Sequence, residues 1–287
     1  MGESIEVIRT IAEATARSEA LRQTGHTIAL VPTMGFFHKG HLALMHEGRR
    51  LSDELVVSLF VNPAQFGPNE DYADYPRDTE RDLGLAEKAG VDAVFMPMAD
   101  EMYPKGFQTH IDQSDLPNHL CGLSRPGHFQ GVMTIVAKLF NIIRPHIAVF
   151  GEKDYQQLAI IRQMVRDLNF NIDIRSLPTV RETDGLAMSS RNSRLAPKHR
   201  KAALGLSQTL QAMQERVRDG ENRADRLINA ATDMIQAYPS ASIDYIKISD
   251  AQTLADIHII DRPALMALAV KIGNVRLIDH VMLDPAF

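Results

Sequence analysis

Cysteine is nearly absent from this chain of 287 residues: Cys121 is the only one. It can form no disulfide within the chain, which fits a reducing cytoplasm. Nothing around it in "HLCGLS" marks a nucleophile, so it reads as a small side chain. Long apolar runs are missing as well. No stretch approaches the ~18–20 residues that cross a bilayer. The first 25 residues lack the basic start and apolar block of a signal peptide. They read instead as an amphipathic helix with Ile5, Ile8, Ile11, Ala12 and Leu21 on one face and Gly25 as its stop. Positive charge is not in excess: 31 Lys and Arg stand against 36 Asp and Glu, a net charge of -5. That balance argues against broad, charge-driven binding to nucleic acid or a membrane, while leaving room for a local basic pocket. Neither the phosphate loop G-x-x-x-x-G-K-[ST] nor the dinucleotide fingerprint G-x-G-x-x-G occurs, and no set of ligands has zinc spacing. The chain contains no repeats. A soluble cytoplasmic protein is expected.

What is present alternates. Apolar runs at 27–32, 54–61, 92–97, 146–151 and 171–178 predict strands. Helical patterns at 41–51, 77–90, 130–143 and 155–168 fall between them, and "FQTHID" (107–112) offers one extra strand. Strands this continuously apolar predict a parallel sheet covered on both faces, of α/β class and Rossmann-like. Beyond about residue 185 the order changes to helices at 197–218 and 222–238, then strands at 242–250, 264–272 and 275–283. This predicts a smaller C-terminal α+β domain, with boundaries at 1–184 and 185–287. The polar join "TVRETDGLAMSSRN" reads as a hinge that also carries chemistry.

In an open sheet of this kind ligands bind beyond the carboxyl ends of the strands. Four polar segments lie there. In "PTMGFFHKGH", His38 and His41 are three residues apart at a helix start, and Gly35 and Gly40 allow close backbone approach. A helix N-terminus with free N–H groups suits a phosphate. Taken alone, the pair is equally compatible with two structural histidines. In "FGEKDYQQL", Lys153 can meet a phosphate, Asp154 a ribose hydroxyl or Lys153 itself, and Gln157 both donates and accepts. The local alternative is a strand–helix turn capped by Asp154. "GLAMSSRNSRL" offers hydroxyls followed by Arg191 that can grip an ATP tail, or else an ordinary serine-rich linker. "FVNPAQFGPNEDY" sets the neutral amides of Asn62 and Gln65 beside a strand end, where a hydroxy acid can be read by hydrogen bonds.

Six motifs in order, "PTMGFFHKGH", "VSLFVNPAQF", "YPRD", "RPGHFQGV", "FGEKDYQQL" and "DGLAMSSRN", resemble the pantothenate synthetase (pantoate–β-alanine ligase) family of the H-x-G-H nucleotidylyltransferase group. The resemblance spans the first 195 residues and thins beyond. It implies an enzyme that condenses pantoate with β-alanine through a pantoyl adenylate, releasing AMP and pyrophosphate. By resemblance ATP is held by Met34, Gly35, Phe36, Phe37, His38, Lys39, Gly40, His41, Gly151, Glu152, Lys153, Asp154, Val180, Met188, Ser189, Ser190 and Arg191. His41 is the family's proton donor, His38 donates beside it, and Lys153 and Arg191 neutralise phosphates. "MSSRN" stands where related synthetases keep a KMSKS loop. Gln65 and Gln157 bind pantoate, and Gln65 also lies beside β-alanine.

Further implications are Mg²⁺ accompanying ATP and a homodimer; the need to keep the anhydride from water predicts a second domain that closes as a lid. Asp82 in "PRDTERD" is the metal candidate, against a solvated helix face. The family pattern has adjacent acidic residues there, whereas this chain has Arg81 before Asp82. The roles of Arg125 and His128 in "SRPGHF" stay open between ordering a loop near the site and serving packing or assembly. Two rival readings remain: a nucleotidylyltransferase that ends at a dinucleotide product, and a silent nucleotide-binding regulator. The first does not predict the Gln65 and Gln157 pair. The second has no need of His38, His41, Lys153 and Arg191 together.

Overall fold

The computed structural model describes residues 5–68 and 70–285. It resolves into two compact units. One comprises the described residues up to Gln113 together with Arg125–Pro178, and the other Ser114–Ser124 with the chain from Thr179 onward. The division therefore falls at Pro178–Thr179, six residues before the boundary read from sequence.

The first unit is a six-stranded parallel sheet in the order β1-β4-β3-β2-β5-β6. Its strands are β1 (Glu6–Ile8), β2 (Ile28–Thr33), β3 (Glu54–Leu59), β4 (Ala93–Phe95), β5 (Ile147–Gly151) and β6 (Asp173–Leu177). The helices are α1 (Ile11–Gln23), α2 (Lys39–Leu51), α3 (Thr79–Lys88), the short α4 (Ala99–Met102), α6 (His128–Ile143) and α7 (Tyr155–Asp167). The parallel sheet with flanking helices is the architecture expected. Alternation along β2 divides its two faces. Ala29 and Val31 join a core with Met45 of α2 and Ala86 of α3, which sends Ile28 and Leu30 to the opposite face. α6 is apolar almost all round and buries Phe129, Val132, Met133, Ile135, Leu139, Phe140 and Ile143 against its neighbours. Each such side chain contributes roughly 1.5–3 kcal/mol relative to exposure.

Two local expectations differ from the structure. The first helix starts at Ile11, because Thr10 and Glu13 close a capping box there: Oγ1 of Thr10 accepts from the Glu13 amide at 3.2 Å, and the Glu13 carboxylate accepts from the Thr10 amide at 3.2 Å. Glu6–Ile8 ahead of it pairs in parallel with β4, so Ile8 belongs to a strand rather than to a helix face. "FQTHID" forms no strand. The amide of Ile111 donates to Oγ1 of Thr134 on α6 at 3.1 Å, a side chain taking the place of a strand partner.

The second unit is a three-stranded antiparallel sheet of β7 (Ala241–Asp250), β8 (Ala264–Ile272) and β9 (Val275–Leu283), with helices α8 (Arg200–Arg218) and α9 (Ala224–Gln236). Leu206, Leu210 and Met213 of α8 and Leu227, Ala231 and Ile235 of α9 meet Met266, Leu268 and Val270 of β8 in one core. An earlier piece of chain, α5 (Leu120–Ser124), joins this unit: Ser124 Oγ donates to Asp244 of β7 at 3.0 Å.

Candidate active site

The sheet order places β2 beside β5, although three strands lie on the far side of β2 and one on the far side of β5. A ligand crevice opens at such a reversal, outside the carboxyl ends of the strands. The loops leaving β2 and β5 are Met34–His38 and Glu152–Asp154.

The β2–α2 loop turns through two left-handed residues, Gly35 (φ 86°) and Phe36 (φ 51°), before α2 begins. Helix N-termini leave amides without intrahelical partners. Here histidine supplies the caps. Nδ1 of His38 accepts from the Gly40 amide at 3.1 Å, and Nδ1 of His41 accepts from the His38 amide at 3.3 Å. The rings stack with centroids 4.0 Å apart. A neutral imidazole whose Nδ1 accepts carries its proton on Nε2. His41 keeps some exposed surface, yet burial of its ring, then the nearby His38 and Lys153, push its pKa well below the ordinary histidine value. It is therefore a neutral Nε2–H donor at pH 7. Lys153 is mostly buried and lies 3.6 Å from the Asp154 carboxylate. Glu152 turns to the sheet edge, where its carboxylate accepts from Ser176 Oγ at 2.8 Å.

Beyond β3 the 3-10 turn Pro63–Gln65 presents a buried Gln65. Tyr103 donates its hydroxyl to Oδ1 of Asn62 at 2.7 Å. With its oxygen so engaged, Asn62 donates from Nδ2 to Oε1 of Gln65 and to the Gly131 carbonyl, both at 3.1 Å. The Gln65 amide is thus fixed with its NH2 outward, donating to the Met34 thioether at 3.1 Å. A thioether is a weak acceptor, readily replaced by a substrate oxygen. Burial pushes the Tyr103 phenol up to about 12, so it remains a donor. Gly131 is obligatory at the close approach of α6: a Cβ there would lie 2.2 Å from the Ala64 carbonyl oxygen.

Arg125 and His128 hold the backbone of the same turn. Arg125 forks onto the Glu70 carboxylate with two bonds of 2.6 Å and donates to Nε2 of His128 at 2.9 Å. His128 Nδ1 then donates to the Gln65 carbonyl at 2.8 Å. Burial, reinforced by Arg125, pushes the His128 pKa down to about 4. Burial pushes the Glu70 carboxyl up, but the Arg125 bonds outweigh it and hold it below the usual value. The two residues order the loop that carries Gln65.

Asp82 is buried, and its oxygens accept from the amides of Phe36 (2.5 Å) and Phe37 (2.7 Å). Burial raises its pKa against these amides. A guanidinium nitrogen of Arg81 lies 3.6 Å away. Both oxygens are committed to the loop, with a cation beside them. Among the described residues no group of three His, Cys, Asp or Glu stands together to hold a metal ion. The side chains therefore do not fit a protein-held cation at Asp82.

Gln157 sits half-buried in the first turn of α7. Val180 and Met188–Arg191 lie in the second unit. The Met188 amide donates to the Val180 carbonyl at 2.9 Å in a hairpin bridged at Arg181 and Ala187. Arg181 pins that hairpin to β9 through two bonds to the buried Asp279, at 2.7 and 2.9 Å. Ser189 Oγ caps the following 3-10 turn, accepting from the Arg191 amide at 3.3 Å. The segment expected to be a flexible hinge is built into the second unit. Sequence reasoning did not find Tyr103, Glu70 or Gly131 as parts of the site. Glu70 and Gly131 stood within quoted segments without being singled out, and Tyr103 lay outside all of them.

The family model for pantoate-beta-alanine ligase matches residues 6–282. The pantothenate synthetase of Desulfatibacillum aliphaticivorans is 57% identical over 281 residues, covering 98% of this chain and 100% of that one. The crystal structure of pantothenate synthetase from Thermus thermophilus superposes with a TM-score of 0.92 at 44% identity, covering 98% of this chain and 100% of that one. The pantoate-beta-alanine ligase of Francisella tularensis, solved with beta-gamma ATP and beta-alanine, gives 0.80 at 32% identity over 97% of each chain.

Proposed function

We infer the chemistry of this chain, which belongs to the pantoate–β-alanine ligase family, from the two imidazoles that cap α2. The reaction is the ATP-dependent condensation of pantoate with β-alanine. A carboxylate cannot acylate an amine directly, since oxide would have to leave. Attack of a pantoate carboxylate oxygen on the α-phosphorus of ATP forms a P–O bond and expels pyrophosphate. The amine of β-alanine then attacks the carbonyl carbon, loses a proton, and displaces AMP. No step requires a protein nucleophile.

The first step brings an anion to a polyanion, so fixed donors aimed at the phosphate oxygens carry the catalysis. The observation that carries this reading is the reciprocal cap of His38 and His41. With each Nδ1 committed to a backbone amide, Nε2–H is the ring group that can donate to phosphate. In the free protein burial, His38 and Lys153 hold the His41 pKa well below the ordinary histidine value, so it meets ATP as a neutral Nε2–H donor. Lys153 adds positive charge to the phosphates. Gln65, with its NH2 turned outward, and Gln157 read the oxygens of pantoate, and Asn62 holds Gln65. Gln65 also meets β-alanine.

Val180 and Met188–Arg191 serve the ATP tail, with Arg191 supplying charge. They belong to the second unit, whose closing on ATP would shield the anhydride from water. Solution scattering that is identical with and without ATP contradicts that closure. Mg²⁺ arrives as the counter-ion of the triphosphate, and no step is assigned to a protein-bound ion. The enzyme is a cytoplasmic homodimer in this reading, supported by the family and by the single unbridged cysteine. Light scattering at micromolar concentration tests the dimer.

The reaction is tested by supplying ATP, Mg²⁺ and pantoate, then adding β-alanine while AMP and pyrophosphate are followed. Sustained AMP release only after the amine is added supports the reading. Release of ADP, or turnover indifferent to β-alanine, sinks it.

A further inference from the structure

The β2–α2 turn passes through a backbone conformation that is costly for one of its residues. Phe36 occupies the left-handed region (φ 51°), a conformation that an L-residue with a bulky side chain adopts at a cost of roughly 1–2 kcal/mol. Gly35 before it is left-handed as well, and a Cβ there would come within 3.0 Å of Asp82 Oδ2. Contacts from outside the turn hold it.

Two consecutive residues of α3 do so from both polar sides of the backbone. Asp82 takes the N–H groups of Phe36 and Phe37, one on each oxygen. Arg81 donates from a terminal guanidinium nitrogen to the Phe37 carbonyl at 2.9 Å, and its guanidinium carbon lies 5.3 Å from the centre of the Phe36 ring. The placement of both is fixed by the start of α3, where Asp78 accepts from the Arg81 amide at 3.2 Å.

We propose that Arg81 and Asp82 form a positioning clamp that holds the left-handed turn and so sets the two histidines for phosphate. The clamp ends at Phe37, the residue directly before His38. His38 then donates its amide to His41 and accepts from Gly40, so an error in the turn passes to both rings. Asp82 thereby has a function that needs no metal. The clamp rests on the reading of His38 and His41 as phosphate donors only for its catalytic consequence, not for its existence.

The test reads both. Amide hydrogen exchange at Phe36 and Phe37 is measured by NMR on the protein free of nucleotide and metal, in Asp82→Asn, Arg81→Ala and Arg81→Lys. Asparagine keeps one acceptor but turns an NH2 against the second amide. A hydrogen bond to a charged group contributes about 1.5–3 kcal/mol, so exchange in Asp82→Asn should rise on the order of 10- to 100-fold. In Arg81→Ala it should rise less, and Arg81→Lys should recover part of that loss. Turnover across a Mg²⁺ titration should show kcat reduced about 10-fold or more in Asp82→Asn at every concentration, with the Mg²⁺ midpoint unmoved. If Asp82→Asn does not fold, Arg81→Ala carries the test, since its side chain is largely on the surface. Unchanged exchange in the folded variants overturns the clamp. Activity restored by raising Mg²⁺ overturns it in favour of a metal ligand. Altered exchange with unaltered kcat leaves the clamp in place and removes its catalytic role.

Discussion

The backbone N–H of His38 donates to Nδ1 of His41, 3.3 Å away, so the second histidine caps the first. One short segment thereby finishes a helix and prepares two Nε2–H donors. Replacing either residue therefore acts on the helix end and on the donors together.

His41→Ala should reduce kcat by about 10²–10³, the usual effect of removing one donor to developing charge. It also removes a cap, which costs about 1 kcal/mol of stability. Steady-state turnover and thermal unfolding separate the two effects. Near-normal turnover in a folded variant removes His41 from the mechanism.

Tyr103→Phe deletes the hydroxyl that holds Asn62 and leaves its buried amide oxygen with only the longer 3.3 Å bond from the Ala64 amide. The Gln65 amide should lose its fixed orientation. The kcat/KM for pantoate should fall about 5- to 20-fold, with little change in KM for ATP. Equal losses for both substrates would place Tyr103 in general stability instead.

Gly131→Ala should be the most disruptive of the small substitutions near the site. Its Cβ would overlap the Ala64 carbonyl at 2.2 Å, and that atom is backbone. A loss of about 1–3 kcal/mol or more in stability is expected, with pantoate affinity weakened in whatever folds. Denaturant unfolding and the KM for pantoate report the two.

His128 makes stability depend on pH. Its folded pKa, near 4, lies below the ordinary 6.5. The unfolded chain therefore binds more protons between those values, and stability falls as pH drops from about 6.5 toward 4. The group contributes on the order of 3 kcal/mol, fully present above pH 6.5. Urea unfolding across pH 4–7 measures the slope, with His41 adding to it in the same direction. His128→Gln should reduce the slope; an unchanged slope would assign it to other groups.

The sheet was legible because β2, β3 and β5 are nearly continuous apolar runs and turn residues interrupt them. β1 was not, since three residues at a sheet edge carry no pattern until β4 is beside them. "FQTHID" misled for the converse reason: alternation fits a strand, but the partner it found is the Thr134 hydroxyl. In the site, His38 and His41 were readable because they lie three apart on one helix start. Tyr103 lies 41 residues from Asn62, and no local spacing links them. Asp82 was read for its charge, whereas its position 46 residues from Phe36 decides its role. Arg125 and His128 stood in a quoted motif, but Glu70 and the Gln65 carbonyl were needed to say what they hold.

The central claim is that a pantoate carboxylate oxygen attacks the α-phosphorus of ATP at this site. Pantoate labelled with ¹⁸O in its carboxylate tests it directly, with AMP, pyrophosphate and pantothenate analysed by mass spectrometry after turnover with β-alanine. One ¹⁸O should appear in the phosphate of AMP and none in pyrophosphate. AMP free of label, or label in pyrophosphate, would contradict the account.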